Sequence, residues 1–272
     1  MGSSNLYFTK HGSGHPLIIL HGLYGSGSNW LSIAKKLAGI CEVYLVDQRN
    51  HGRSPHHNEH NYRVLMDDLL EFMDDQDLSK AMLLGHSMGG KTAMFMATYH
   101  PERVSRLIVA DMSPLSYIQN GERADHFAGH EYIMNSLRAL DLSELMNLRE
   151  LDEKLEIVFP DRRLRQFLMK NLAKSESGKY FWRLNLGALQ RNLDSLADGL
   201  DPKGFPDGGF RQYPVLFIKG ENSHYIGERD QKAIKSLFPG SNLVSINNAG
   251  HWLHAEQPEV FVRIVRKFLL DY

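Results

Sequence analysis

Ala81-Met82-Leu83-Leu84-Gly85-His86-Ser87-Met88-Gly89-Gly90-Lys91-Thr92 is the stretch whose reading decides the fold. A short apolar run stops at Gly85, Gly-x-Ser-x-Gly follows at once, and helical spacing begins behind it. Strand, sharp turn and helix make the setting of a nucleophile elbow, in which the central serine is held in a strained backbone conformation. The flanking glycines belong there because a β-carbon would clash where strand and helix approach. Ser87 is then expected at the carboxyl end of a strand, with the free N–H groups and partial positive charge of a helix N-terminus behind it. The same residues also spell Gly85-(x4)-Gly90-Lys91-Thr92, a phosphate-binding P-loop. Leu107-Ile108-Val109-Ala110-Asp111 could even serve as its magnesium-holding strand. The rest of the chain has to decide between the two.

Outward from the elbow, apolar strand-like runs alternate with helical spacing. Leu6–Thr9 and Pro16–Leu20 read as two strands of a hairpin, followed by Asn29–Ala38 as a helix and Val43–Val46 as a strand. Asn61–Asp75 follows as an amphipathic helix, and beyond the elbow helix, which Pro101 stops, Leu107–Ala110 reads as a further strand. This order predicts a mostly parallel sheet with helices on both faces. From Pro114 to Tyr213 no strand is expected: Leu164, Leu168 and Leu172 form one helical stripe, and Leu189, Leu193, Leu196 and Leu200 another. A turn-rich exit at 202–209 leads back to strand Val215–Lys219, helix Glu228–Phe238, strand Leu243–Ile246 and helix Pro258–Leu270. The expected organisation is an α/β core of residues 1–113 and 214–272, with a helical cap of residues 114–213 inserted before the penultimate strand.

Composition narrows the function. The 272 residues are 42% hydrophobic, enough for a sizeable core, and 31 basic against 32 acidic residues leave a net charge of -1. That balance gives no electrostatic footprint for nucleic acid or an anionic membrane. Cys41 is the only cysteine, so a reducing, cytoplasmic setting is expected. No secretory signal and no run of 18 apolar residues is visible. The expectation is a monomer or small homo-oligomer acting on a small molecule, with neither cofactor nor metal.

Two further loops carry chemistry. Asn248-Ala249-Gly250-His251-Trp252 leaves the last strand at the sheet edge where active sites of open parallel sheets lie, so His251 is the candidate base for Ser87. The pairing requires a contact of about 2.6–3.2 Å. His21-Gly22-Leu23 follows an early strand, which places the Leu23 N–H beside that of Met88, the residue after the serine, as an oxyanion hole. The acid should fall between serine and histidine in the chain. Its usual place after Val215–Lys219 reads Gly220-Glu221-Asn222-Ser223, with serine where Asp is expected. Asp111, ending the strand next to the elbow strand, is the candidate, and Glu221 the alternative.

These segments resemble the α/β-hydrolase fold and, within it, the bacterial YbfF-type esterase family. Carrying the resemblance are His21-Gly22-Leu23-Tyr24-Gly25-Ser26, Asp47-Gln48-Arg49-Asn50-His51-Gly52-Arg53-Ser54, the elbow, Asp111-Met112-Ser113-Pro114, Gly220-Glu221-Asn222-Ser223 and Gly250-His251-Trp252. The resemblance implies Ser87 as nucleophile, His251 as base and Asp111 as acid. It also implies hydrolysis of carboxylic esters or acyl thioesters, acyl-CoA included, under a helical cap. Lys91 and Thr92 then read as ordinary helix residues, and the P-loop reading leaves both histidine loops unexplained. A lyase or acyltransferase with the same triad, and a binding protein that keeps only the cavity, are the rival functions. His56, His57 and His60 read as a solvated loop rather than a metal site. Arg162, Arg163 and Arg165 read as a solvated helix face, with coenzyme A phosphates as the alternative.

Overall fold

The computed structural model describes residues 5–119, 122–123, 125–201, 204–206 and 208–271. The chain runs β1 (Phe8–Gly12), β2 (Pro16–Leu20), α1 (Leu31–Leu37), β3 (Glu42–Val46), α2 (Tyr62–Asp75), β4 (Ala81–His86), α3 (Met88–Tyr99) and β5 (Val104–Ala110). Next come β6 (Ile118–Gln119), β7 (Glu122–Arg123), α4 (Asp125–Ala139), α5 (Leu148–Val158), α6 (Arg162–Met169), β8 (Leu172–Lys174), β9 (Tyr180–Trp182), α7 (Leu186–Arg191) and α8 (Leu193–Ala197). It ends with β10 (Val215–Gly220), α9 (Glu228–Leu237), β11 (Asn242–Ile246), α10 (Leu253–Glu256) and α11 (Pro258–Leu270).

Seven strands form one sheet in the order β1-β3-β2-β4-β5-β10-β11, parallel throughout except where β1 meets β3. The architecture is an α/β-hydrolase fold. The elbow strand β4 lies at the centre. Alternation along each strand sends Ile18, Leu20 and Leu83 to one face, packed with Leu65, Leu69 and Phe72 of α2 and Met94 of α3. Leu17, Ile19, Met82 and Leu84 go to the other, against Ile33 and Leu37 of α1 and Phe261 and Val265 of α11. Local signals set the helix starts: the Asn61 side chain accepts from the N–H groups of Arg63 and Val64 at the head of α2, and Pro258 opens α11.

The expected hairpin does not form. β1 is antiparallel to β3, with Phe8 opposite Val46 and Gly12 opposite Glu42. The reason lies in burial: Leu17–Leu20 are buried on both faces and take β3 and β4 as neighbours. The half-polar run Thr9-Lys10-His11 is left for the edge, where one side faces water.

The segment between β5 and β10 is mostly helical, but two short antiparallel pairs interrupt it, β6 with β7 and β8 with β9. Leu172, expected on a helical stripe, lies in β8 opposite Trp182. The preceding Asn171 ends the helical path by donating its side-chain N–H groups to Tyr24 O and Leu168 O. Leu151, Leu155, Leu168, Leu189, Leu193 and Leu196 join the core cluster that also holds α2 and α3. Arg165 is neither solvated nor free for a phosphate. It is buried, ion-paired with Asp152 at 2.7 Å and Glu156 at 3.1 Å, and donates to the Phe159 and Pro160 carbonyls. Arg162 and Arg163 are exposed. Of the exit at 202–209, residues 202, 203 and 207 lie outside the described residues.

Lys91 is not an ordinary helix residue. It is fully buried, donates from Nζ to Leu115 O at 2.7 Å and lies over the Tyr117 ring. Burial pushes its pKa down to about 7, against the opposing pull of Asp230 and Asp198. Leu115 lies just after β5 and Asp198 just after α8. The two connections touch there, since Tyr117 N donates to Ala197 O and Leu200 N to Pro114 O.

Candidate active site

Ser87 sits between β4 and α3 at φ 52°, ψ −121°, a left-handed conformation rare for any residue but glycine. Two close approaches hold it there. A β-carbon on Gly85 would lie 2.1 Å from Gly89 O, and one on Gly89 2.3 Å from Leu20 O. The Ser87 N–H is tied to Ala110 O of β5 at 3.0 Å. Strain of this kind persists only where the surrounding backbone over-determines it.

His21 shapes the neighbouring loop. Its Nε2 accepts from the Gln48 N–H at 3.0 Å, so the ring's proton sits on Nδ1 and is donated to Gly22 O at 2.9 Å. Burial lowers the pKa of His21, in keeping with this neutral form. The 47–54 loop supports the arrangement from behind, because Asp47 accepts from Gly27 N at 2.7 Å and Arg53 N at 2.8 Å. The Leu23 N–H and the Met88 N–H, at the first residue of α3, donate to no other group among the described residues.

On the other side, Asp111 is fully buried and also left-handed, at φ 52°. Its Oδ1 accepts from Gly220 N at 3.1 Å, while Oδ2 accepts from His251 Nδ1 at 2.8 Å and from the Ser223 hydroxyl. Glu221 lies elsewhere: it is exposed and accepts from the Asn248 N–H at 2.8 Å, pinning the base-bearing loop by its backbone. Ser223, occupying the place expected for the acid, thus donates to Asp111, the candidate acid. The His251 ring lies flat on Tyr225, with centroids 3.8 Å apart and planes 12° apart. Its backbone carbonyl accepts from His86 Nε2 at 2.8 Å.

Ser87, His251 and Leu23 line one cavity of about 70 Å³, together with Ile133, Leu164 and Phe167 from the segment between β5 and β10 and Trp252. Among the described residues no hydrogen bond joins Ser87 to the His251 ring. In unliganded sites such contacts are often long and tighten only when substrate binds. A wider groove of about 520 Å³ adjoins this cavity and shares Asn29, Phe167, Trp252 and His254 with it, with Arg163 and Lys170 on its wall. Of the histidine loop, His56 and His57 are exposed. His60, expected to be solvated, is buried against Asn50 and Met88 Sδ, and burial pushes its pKa down to about 3. Its place beneath Met88 makes it part of the elbow's packing.

Sequence reasoning missed Ser223, Tyr225, His86 and His254 as neighbours of the site. A serine in the acid's usual position was the one available signal. The other three needed coordinates.

With this geometry in place, comparison with known proteins gives a consistent answer. Residues 15–258 match the alpha/beta hydrolase fold family, and the chain belongs to it, with YbfF-type relatives. The sn-1-specific diacylglycerol lipase ABHD11 of Danio rerio is 36% identical over 268 residues, which cover 96% of this chain and 80% of that protein. Esterase YbfF of Escherichia coli (strain K12) is 30% identical over 256 residues, covering 94% and 93%. A solved structure titled "Marine microorganism esterase" superimposes with a TM-score of 0.91 at 42% identity, covering 98% of this chain and all of that one. The relatives support a hydrolase of the esterase or lipase kind.

Proposed function

We propose that the protein hydrolyses carboxylic esters or acyl thioesters through an acyl-enzyme on Ser87, with His251 as base, Asp111 as acid and the Leu23 and Met88 N–H groups as oxyanion hole. One observation carries this reading: a histidine bonded at Nδ1 to a buried carboxylate opens into the same cavity as a serine on a strained elbow. The bond at Nδ1 leaves Nε2 as the basic nitrogen. His251 then removes the Ser87 proton as the oxygen attacks the acyl carbon, and the carbonyl oxygen gains charge facing two backbone donors. The leaving alcohol or thiol takes that proton, and His251 next activates the water that releases the acid. Asp111 fixes the ring's orientation and stabilises the imidazolium.

The segment 114–213 serves as a cap, since its side chains roof the cavity. The apolar lining suits an uncharged acyl chain, in keeping with relatives named esterase and diacylglycerol lipase. The groove beyond, with Arg163 and Lys170, would take an anionic carrier such as that of an acyl-CoA. A panel of p-nitrophenyl esters and acyl-CoA thioesters, run with wild type and Ser87→Ala, tests the reading. Burst release and fluorophosphonate labelling confined to wild type are expected. Undiminished turnover by Ser87→Ala would refute it.

A further inference from the structure

His86 stands where three loops of the site meet, and the acyl transfer itself gives it no task. It precedes Ser87 on the elbow and is 4% exposed. Its Nε2–H donates to the His251 carbonyl at 2.8 Å, which leaves Nδ1 unprotonated. That nitrogen lies against the oxyanion loop, 2.9 Å from where a Gly22 β-carbon would stand. The ring packs 4.7 Å from the His251 ring and edge-on to His254 at 4.6 Å. Burial, reinforced by His254 and His251, holds its pKa well below the ordinary value, so it stays neutral beside a base that becomes a cation during turnover.

Glu221 and Glu256 hold the base-bearing loop at the Asn248 and Gly250 N–H groups, and the His86 bond is the tie that joins it to the elbow. The loop follows β11 at the sheet edge, three strands from β4, a reach of about 14 Å at the usual strand spacing. Asp111 restrains the His251 ring but not the height of its backbone above the elbow. We propose that His86 is a positioning residue, whose Nε2–H bond to the His251 carbonyl docks the base-bearing loop on the nucleophile elbow while its ring spaces that loop from the oxyanion loop. The inference rests on the roles given to Ser87 and His251.

Three substitutions test it. Glutamine carries an amide N–H about as far from the backbone as Nε2, asparagine falls one methylene short, and leucine fills space without donating. His86→Gln should keep kcat within about threefold. His86→Asn and His86→Leu should lose about 10–100-fold in kcat with KM within about threefold, the size of effect that a misplacement of about 1 Å produces. Hydrogen exchange of the amides at 248–252 should quicken in the Asn and Leu variants and not in Gln. Equal kcat across the three, or leucine at least as active as glutamine, would overturn the proposal, since packing alone would then suffice. If the leucine variant does not fold, the Gln–Asn pair decides. Ser87→Ala separates the two levels: activity retained there defeats the site assignment, whereas a dead Ser87→Ala with a flat His86 series defeats only this inference.

Discussion

The two sides of the site are held in place by different means. On the Ser87 side the backbone does the holding: Ser87 is locked by the Gly85 and Gly89 approaches and by its bond to β5, and the oxyanion donors proposed for it are main-chain amides. On the base side, side chains dominate. His251 is fixed by Asp111, His86 and the Tyr225 face, and Asp111 by Ser223 together with the Gly220 N–H. A backbone-built site demands glycine at specified places and so leaves a mark on the sequence. A side-chain-built site can be assembled from many residue types at many positions.

This contrast can be broken by mutation, beginning where the effect is largest. Ser87→Ala and His251→Ala should each lower kcat by about 10⁶ without unfolding the chain, as removal of either member of a working pair does. Gly89→Ala should act differently, because its new β-carbon would strike Leu20 O and the elbow could not close. The expected result is loss of soluble, cooperatively unfolding protein rather than an inactive fold. Melting curves of the three variants separate the outcomes, and a folded, active Gly89→Ala would show that the backbone is not what sets Ser87.

The acid comes next. Asp111→Asn should cost about 10⁴ in kcat, since the amide favours the wrong tautomer of the histidine. Glu221→Gln, at a side chain that accepts from the Asn248 N–H, should stay within about tenfold. The reverse ranking would transfer the acid's role to Glu221. Ser223→Ala deletes one hydroxyl donor to the buried carboxylate, a charge-assisted bond worth about 1.5–3 kcal/mol, so a loss of about 10–100-fold is expected. Steady-state kinetics on one ester suffices for all three. An unaffected Ser223→Ala would mean that Gly220 N and His251 alone hold Asp111.

The same division explains what could be read in advance. The strand–turn–helix at Ser87, the convergence of the 21–23 and 248–252 loops on one cavity and the mostly helical character of 114–213 were legible because glycine spacing and apolar periodicity report backbone demands. β1 was misplaced because strand partnership depends on which strand must be buried on both faces, and adjacent segments do not reveal that. Leu172 fell off its helical stripe because a side chain reaching Tyr24 O, far away in the chain, ended the helix. Arg165 looked solvated and Lys91 looked like an ordinary helix residue because a cation's burial depends on partners from other elements, Asp152 and Glu156 for one and Leu115 O for the other.

Lys91 lies on the backbone-built side, yet its side chain ties α3 to the Leu115 carbonyl, and its predicted effect falls on stability rather than turnover and is the most specific to pH. In the folded protein it gives up its proton near pH 7, against about 10.5 when unfolded. Below pH 7 both states carry the proton, and the cost of burying it is fully present. Between 7 and 10.5 the unfolded chain binds the proton and the native one does not, so stability rises with pH across that window. Lys91→Met keeps the length of the side chain and removes the titration. The unfolding free energy of wild type minus that of Lys91→Met should therefore climb by up to about 1.4 kcal/mol per pH unit from pH 7 to 9.5. The tyrosines whose phenols burial pushes upward, Tyr62 and Tyr117 among them, remain in both proteins and titrate above this window. Urea unfolding at three pH values measures the difference. Parallel curves would mean that Lys91 keeps its proton in the fold, with the Leu115 carbonyl and the aspartates at 198 and 230 outweighing its loss of solvent.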